Sequence, residues 1–223
     1  MNTAIQLYSL ATPNGQKVAI ALEEMGVDYE AHTIDVSSGD HHSAEFVRIN
    51  PNAKIPAIVD PIADDGAPLA IMESGAILLH LAEATGKFLP INPTKRSHTL
   101  QWLFWQVSAV GPMFSQYGHF CVHAPQGQDL SYAKQRYTDE TLRLLTVLEN
   151  QLEGKTFVIG DDLTIADFAI LPWVVCLDNS YHASEALHLA SYPNIQCWAA
   201  NLMARPAVAR GMKVCSLEEQ IEC

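Results

Sequence analysis

Cysteine is absent from the first half of this chain. Five cysteines lie between Cys121 and Cys223, odd in number and widely spaced, and no Cys-x-x-Cys pair occurs. This pattern predicts neither a disulfide framework nor a zinc site, so we expect no metal and reduced thiols in a cytoplasmic protein. It also excludes a dithiol reductase that uses cysteines from the amino-terminal half.

Positive charge is scarce as well. The chain carries 13 lysines and arginines against 25 aspartates and glutamates, a formal net charge of −12. No basic run is long enough to follow a phosphate backbone, so nucleic acid is not an expected partner. An anionic ligand would need local donors such as a helix N-terminus.

Long apolar runs are also missing. No window approaches the roughly 20 apolar residues of a membrane span, and no basic region followed by an apolar stretch occurs near the start. We therefore expect no membrane association. The 48% of hydrophobic residues and 17% of charged residues are still typical of a globular protein.

The first 88 residues predict the order β-α-β-α-β-β-α. Thr12 and Pro13 have the residue types of an N-cap and a first helical position, and Gly26 is a typical helix end. Apolar spacing and turn residues predict strands at 4–8, 27–36, 57–59 and 69–72, and helices at 13–25, 44–49 and 73–85. A turn at 64–66 favours an antiparallel hairpin.

Beyond Pro90 and Pro93 the strand signals give way to helical periodicity. Helices are expected from about residue 96, over 132–152, from Thr164, and over 194–204 and 206–214. We place the domain boundary between 86 and 95. The predicted organisation is an amino-terminal domain at 1–88, an all-helical domain at 94–215 and a flexible tail at 216–223.

Particular motifs add a family resemblance. The element order looks like the thioredoxin fold, with Ile55-Pro56 where that fold carries a cis-proline. Asn50-Pro51 and Lys54-Ile55-Pro56, followed by Glu73-Ser74, resemble the glutathione-site signature of glutathione transferases. Residues 160–167 are similar to the capping segment of that family's buried core helix, with Thr164 and Asp167 as N-cap and N3.

Two further stretches resemble the bacterial Nu class of that superfamily. They are Thr12-Pro13-Asn14-Gly15 and the later residues 101–106 taken with 111–113. The resemblance implies a thioredoxin-like domain followed by an all-helical one, a homodimer, and glutathione as bound cosubstrate. It also implies a glutathione-dependent disulfide-bond reductase that acts on a small disulfide or electrophile, with weak peroxidase activity.

The resemblance implies roles for residues near the sulfur. Some transferase classes use a Tyr or Ser hydroxyl between the first strand and helix, where Tyr8 and Ser9 lie. The Nu-like pattern instead points to Thr12, with Asn14 beside it, as catalytic residues that bind glutathione. Their hydroxyl and amide would donate to the sulfur at a helix N-terminus and lower the thiol pKa.

The rest of the glutathione site follows from the same resemblance. Ser74 and the helix N-terminus would hold the γ-glutamyl carboxylate, and Glu73 would attract the amine. The backbone of Ile55, presented by cis-Pro56, would pair with the cysteinyl part. The alternative for Ser74 is a helix cap without a ligand.

Three cationic or titratable residues complete the predicted site. Lys54 or His41 would meet the glycyl carboxylate, although His41 departs from the Nu pattern and could be a solvated loop residue. Arg136 matches a class position that reaches glutathione across a dimer interface. A surface arginine is the competing interpretation.

Two other functions stay open at this point. A conjugating transferase for electrophiles would need an apolar pocket from Trp105, Met113, Phe114, Tyr117 and Phe120. We assign Trp102 and Phe104 to the helical core. A noncatalytic glutathione-binding scaffold is the other alternative, but it would not need the thiolate donors Thr12 and Asn14.

Overall fold

The computed structural model describes residues 4–61, 66–125 and 127–217. Contacts within the chain divide these residues into two compact units. The first contains 4–61, 66–89 and 204–217, and the second contains 90–125 and 127–203. In the residues described, no helix has the length and apolar character needed to cross a bilayer.

The strands and helices are numbered in chain order. The strands are β1 Ile5–Ser9, β2 Tyr29–Thr33, β3 Ala57–Asp60 and β4 Leu69–Met72. The helices are α1 Pro13–Met25, α2 Ala44–Ile49, α3 Ser74–Thr85, α4 Pro93–Trp105, α5 Gly111–Gly118, α6 Ser131–Leu152, α7 Ile165–Asn179, α8 Pro193–Met203 and α9 Pro206–Gly211.

The first unit is built on one mixed sheet with the order β2-β1-β3-β4. β1 and β2 are parallel, whereas β3 is antiparallel to both of its neighbours. Leu7 lies at the centre, paired with Ala31 on one side and Ile58 on the other. The predicted thioredoxin-like order is confirmed, and the hairpin of β3 and β4 is antiparallel as expected. Residues 64 and 65 of its predicted turn lie outside the described residues.

The observed bounds of β2 and α4 differ from the predicted ones, for local reasons. β2 is shorter than the predicted 27–36, because its ladder with β1 covers only Tyr29 to Thr33. α4 begins at Pro93 rather than near residue 96, because the Asn92 side chain accepts hydrogen bonds from the N–H groups of Thr94 and Lys95.

The carboxyl-terminal segment packs in the first unit. A Cβ on Gly211 of α9 would lie 2.6 Å from the backbone N and Cα of Ile20 in α1, so this contact requires a glycine. The side chains of Arg205 and Glu24 pair as well, at 2.7 Å. Residues 204–215, which the sequence-based division assigns to the helical domain, therefore make their contacts with α1. Residues 218–223 of the predicted tail lie outside the described part.

The second unit is all helical and centres on α7, most of whose residues are buried. The predicted capping box at its start is confirmed. The Asp167 carboxylate accepts from the backbone N–H of Val158 at 2.9 Å and of Thr164 at 3.0 Å, from the Thr164 hydroxyl at 3.1 Å, and from Trp198 Nε1 at 2.9 Å.

One core assignment is wrong. Phe104 is 63% exposed, and Trp102 is half-buried. The buried residues of α4 are Thr99 and Leu103, which lie four apart on one helix face. Phe104 follows Leu103 directly, so the helix turns it about 100° away from that face.

Candidate functional site

The loop between β1 and α1 places Thr12 at the N-cap of α1 with an extended backbone. Its N–H donates to the carbonyl of Leu10 at 2.7 Å, and its own carbonyl accepts from Gln16 at 2.9 Å. In the part of the chain that the structure describes, the Thr12 side chain makes no capping hydrogen bond. The Ala11 N–H donates to the Cys215 carbonyl at 3.2 Å, which ties this loop to the carboxyl-terminal segment.

Tyr8 and Ser9, the other hydroxyl residues near this loop, have contacts of their own. The Tyr8 ring stacks on His32 of β2, with the ring centroids 4.6 Å apart. Burial, and then the carboxylates of Glu45 and Glu30, raise the pKa of the Tyr8 phenol. Ser9 is 1% exposed, and its hydroxyl donates to the Leu10 carbonyl at 3.3 Å.

The loop that precedes β3 is held by Asn50, which is 2% exposed. Its side-chain amide donates to the Lys54 carbonyl at 2.5 Å, and its side-chain oxygen accepts from the Asn52 N–H at 2.9 Å. The Ile55–Pro56 peptide is cis, as predicted. Asn50 therefore fixes the backbone on which Lys54 and Ile55 lie.

The start of α3 has an unusual backbone. Glu73 has φ 71° and ψ 115°, outside the regions that residues with a Cβ prefer, and such conformations cost about 1–3 kcal/mol. The side chain of Glu73, at the N-cap position of α3, makes no capping hydrogen bond. Ser74 is 8% exposed, and its Oγ lies 3.3 Å from Nζ of Lys17.

These three segments meet at one cavity of about 180 Å³. Its lining residues are Asn14, Asn50, Asn52, Lys54, Ile55, Pro56, Glu73 and Ser74. The structure thus brings together six of the nine predicted glutathione-binding residues. The volume is below the roughly 300–1,000 Å³ of a complete small-molecule site, so this cavity alone is too small for a drug-sized ligand. Thr12 lies two residues before Asn14 and is not a lining residue.

His41 lies outside this lining, in a short 3₁₀ turn. Its ring is 3.9 Å from that of His42, and its Nδ1 atom is buried with no hydrogen-bond partner among the described residues. Burial lowers the pKa of His41, and the neighbouring His42 and Lys54 lower it further. These effects favour the neutral form of the His41 imidazole.

Arg136 belongs to the second unit. It is exposed on α6 and lines a different cavity of about 550 Å³, together with Met113 and Tyr132. Phe114 and Tyr117, which the conjugating alternative would need for an apolar substrate pocket, are 1% and 4% exposed and form part of the helical core. The contact of Arg136 with a ligand stays a prediction.

Three residues of this site are not predicted from the sequence. They are Asn50 and Asn52, which line the cavity, and Lys17, which contacts Ser74. In the sequence, Asn50 stands out only as part of the glutathione-site motif. Lys17 carried a usable signal, because it precedes Ala21 by four positions and Met25 by eight and so lies on the apolar face of α1. Across residues 4–61, 66–125 and 127–217, no group of three or more His, Cys, Asp or Glu side chains could hold a metal ion.

Comparison with known proteins identifies two family models in the chain. Residues 3–83 match the glutathione S-transferase N-terminal domain, and residues 110–206 match the glutathione S-transferase C-terminal domain. The matches cover both parts of the predicted organisation.

The sequences of two named relatives and one solved structure match nearly the whole chain. Disulfide-bond oxidoreductase YghU of Escherichia coli K12 is 47% identical over 93% of this chain and 73% of its own length. Disulfide-bond oxidoreductase YfcG of the same organism is 44% identical over 97% and 98%. A glutathione transferase from Pseudomonas putida, solved with one glutathione disulfide bound per subunit, superposes with a TM-score of 0.92 at 44% identity, covering 95% of this chain and 91% of that one.

Proposed function

The chain belongs to the glutathione S-transferase family, and on that premise we propose that it is a glutathione-dependent disulfide-bond oxidoreductase. The observation that carries the proposal is the cavity that joins Asn14, Ile55 and Ser74, in a chain whose relatives are named disulfide-bond oxidoreductases. No cysteine is among the residues that line this cavity, so bound glutathione supplies the reactive sulfur.

Glutathione is held along the cavity in an extended form. Its γ-glutamyl carboxylate lies at the N-terminus of α3 beside Ser74, where backbone N–H groups and the helix dipole favour an anion. Glu73 attracts the amine, and the backbone of Ile55 pairs with the cysteinyl part. Lys54, with His41 nearby, meets the glycyl carboxylate.

The thiol lies at the start of α1, where the Thr12 hydroxyl and the Asn14 amide donate hydrogen bonds to the sulfur. Such donors favour the thiolate. The thiolate attacks one sulfur of the substrate disulfide, which breaks the S–S bond, forms a mixed disulfide and releases one thiolate. A second glutathione thiolate attacks the mixed disulfide at the glutathione sulfur. The products are glutathione disulfide and two substrate thiols, so atoms and electrons balance.

The test is reduction of 2-hydroxyethyl disulfide by glutathione, followed through NADPH and glutathione reductase. We expect Thr12→Ala to lower kcat/KM about 10- to 100-fold, because it removes a hydrogen bond to a developing anion. Thr12→Ser keeps the hydroxyl and should stay within about threefold of the parent protein. Unchanged turnover in Thr12→Ala would show that Thr12 is not the donor.

A parent protein that binds glutathione without reducing the disulfide would contradict the proposal. Turnover of an aromatic electrophile in that protein would support a conjugating transferase, and no turnover with either substrate would support a scaffold. Weak peroxidase activity follows from the same thiolate and is measured with cumene hydroperoxide.

We also infer a cytoplasmic homodimer in which Arg136 of the partner subunit approaches glutathione. We expect light scattering to give twice the chain mass. We also expect Arg136→Ala to raise the KM for glutathione at least threefold. A monomer would remove this role for Arg136.

A further inference from the structure

One basic side chain lies in the interior of the first unit. The chain has 13 lysines and arginines, all within the described residues, and among them only Lys17 is buried, at 2% exposure. Lysine is almost never fully buried unless its charge has a use or a partner. Its position on α1 therefore needs an explanation.

The contact made by Lys17 leads to the cavity. Its Nζ donates to Oγ of Ser74 at 3.3 Å, and Ser74 lines the cavity at the start of α3. A hydroxyl that accepts a hydrogen bond at its oxygen still has its own hydrogen to donate. Because an ammonium group has no acceptor, the hydroxyl hydrogen of Ser74 cannot be donated back to charged Lys17 and is directed toward another group.

The charges around Lys17 favour an added anion. Burial lowers the pKa of Lys17 to about 7, and the Glu73 carboxylate opposes this shift. Three ion pairs lie on these helices and their neighbours, namely Glu24 with Arg205, Glu23 with Arg210, and His80 of α3 with Asp60 of β3. An anion bound beside Ser74 would stabilise the charged form of the lysine.

We propose that Lys17 is a positioning residue for the γ-glutamyl carboxylate of glutathione, acting through Ser74 from the interior side of the site. The inference rests on the proposed function, since it takes the cavity to be the glutathione site. It assigns a task to a buried residue that lies on another helix, 57 positions before its partner.

The test is a cycle of two proteins and two ligands. Lys17→Met keeps the length of the side chain and removes its charge. The second ligand, 4-aminobutyryl-cysteinylglycine, keeps the amine and thiol of glutathione but lacks the γ-glutamyl carboxylate. Lys213→Met removes one exposed charge from the same unit and serves as the control.

Calorimetry should show glutathione binding weakened about 10- to 30-fold by Lys17→Met, with binding of the analogue changed less than threefold. Lys213→Met should change neither. Equal weakening of both ligands would mean that Lys17 only supports the fold, and unchanged glutathione binding would also overturn the inference. A parent protein that binds no glutathione would overturn the proposed function itself, which is a different outcome.

A second measurement uses the parent protein, in case Lys17→Met does not fold. S-methyl derivatives of the two ligands are used, because a methylated sulfur has no proton to release on binding. Calorimetry at pH 8 in two buffers of different ionisation enthalpy then gives proton uptake on binding. We expect greater uptake for the ligand with the carboxylate, because that group favours protonated Lys17. Equal uptake for both ligands would overturn the inference.

Discussion

The first backbone N–H groups of a helix have no partner within the helix and need one from elsewhere. The starts of α3 and α7 differ in how this need is met. At α7, Thr164 has an extended backbone and Asp167 closes the capping box. Both residues are fully buried. The chain's own side chains therefore satisfy this N-terminus and contribute to the stability of the second unit.

At α3, Glu73 is exposed and has a backbone of positive φ, and its side chain makes no capping hydrogen bond. Ser74 instead accepts a hydrogen bond from Lys17. The backbone strain costs stability, and the N–H groups at the start of a helix attract an anion. The comparison shows that a helix N-terminus can contribute to folding when side chains of the chain cap it, as at α7. It can contribute to ligand binding when its N-cap side chain makes no such bond, as at α3.

The largest expected effect concerns the α7 start. Asp167→Ala leaves four buried donors without an acceptor and should lower the free energy of unfolding by about 3–5 kcal/mol. Urea denaturation followed by circular dichroism measures it. Asp161→Ala, an exposed residue of the same loop, should stay within about 0.5 kcal/mol. Equal midpoints for the two variants would contradict the role of Asp167.

The buried lysine beside α3 predicts a pH dependence. The pKa of Lys17 is about 7 in the folded protein, and that of an unfolded lysine is about 10.4. Between these values the unfolded chain binds the extra proton, so this residue makes stability rise with pH by up to about 1.4 kcal/mol per unit. Below pH 7 its contribution is constant.

Lys17→Met removes that slope. The free energy of unfolding of the variant, relative to that of the parent protein, should therefore fall by about 2–3 kcal/mol between pH 7 and pH 9.5 in urea titrations. The Lys213→Met control should parallel the parent protein. If the Lys17→Met curve does so too, Lys17 has an ordinary pKa in the folded state.

A smaller effect of opposite sign is expected at Glu73. Glu73→Gly relieves the strained backbone and should raise the free energy of unfolding by about 0.5–1 kcal/mol. Glutathione affinity should fall about tenfold, because the carboxylate that attracts the amine is lost. Glu73→Gln keeps the Cβ and should lose affinity without gaining stability. Equal stability of the Gly and Gln variants would argue against strain at this position.

Much of the architecture was predictable because its signals are local. Helical spacing, Pro13 and Gly26 determine α1 almost to the residue. The capping pair Thr164 and Asp167 needs only a separation of three positions. For the cavity, Lys54-Ile55-Pro56 and Glu73-Ser74 were predictable from the resemblance to a family motif, and the structure brings these segments together.

Long-range packing was not predictable in the same way. Nothing near Lys17 in the chain indicates that its partner is Ser74, because that contact depends on how α1 and α3 pack. The exposure of Phe104 depends on which face of α4 is covered. The contact of α9 with α1 depends on a close approach at Gly211, which composition alone does not reveal.

The smallest effect is expected at Tyr8, the nearest alternative to Thr12. Its ring packs on His32, so Tyr8→Phe keeps the contact and removes only the hydroxyl. We expect kcat/KM for 2-hydroxyethyl disulfide to change less than about twofold, because the thiolate is held from the start of α1. Tyr8→Ala, which removes the ring, should instead lower stability by about 1–3 kcal/mol. A tenfold loss in Tyr8→Phe, with full activity in Thr12→Ala, would transfer the role of sulfur donor from the start of the helix to the end of β1.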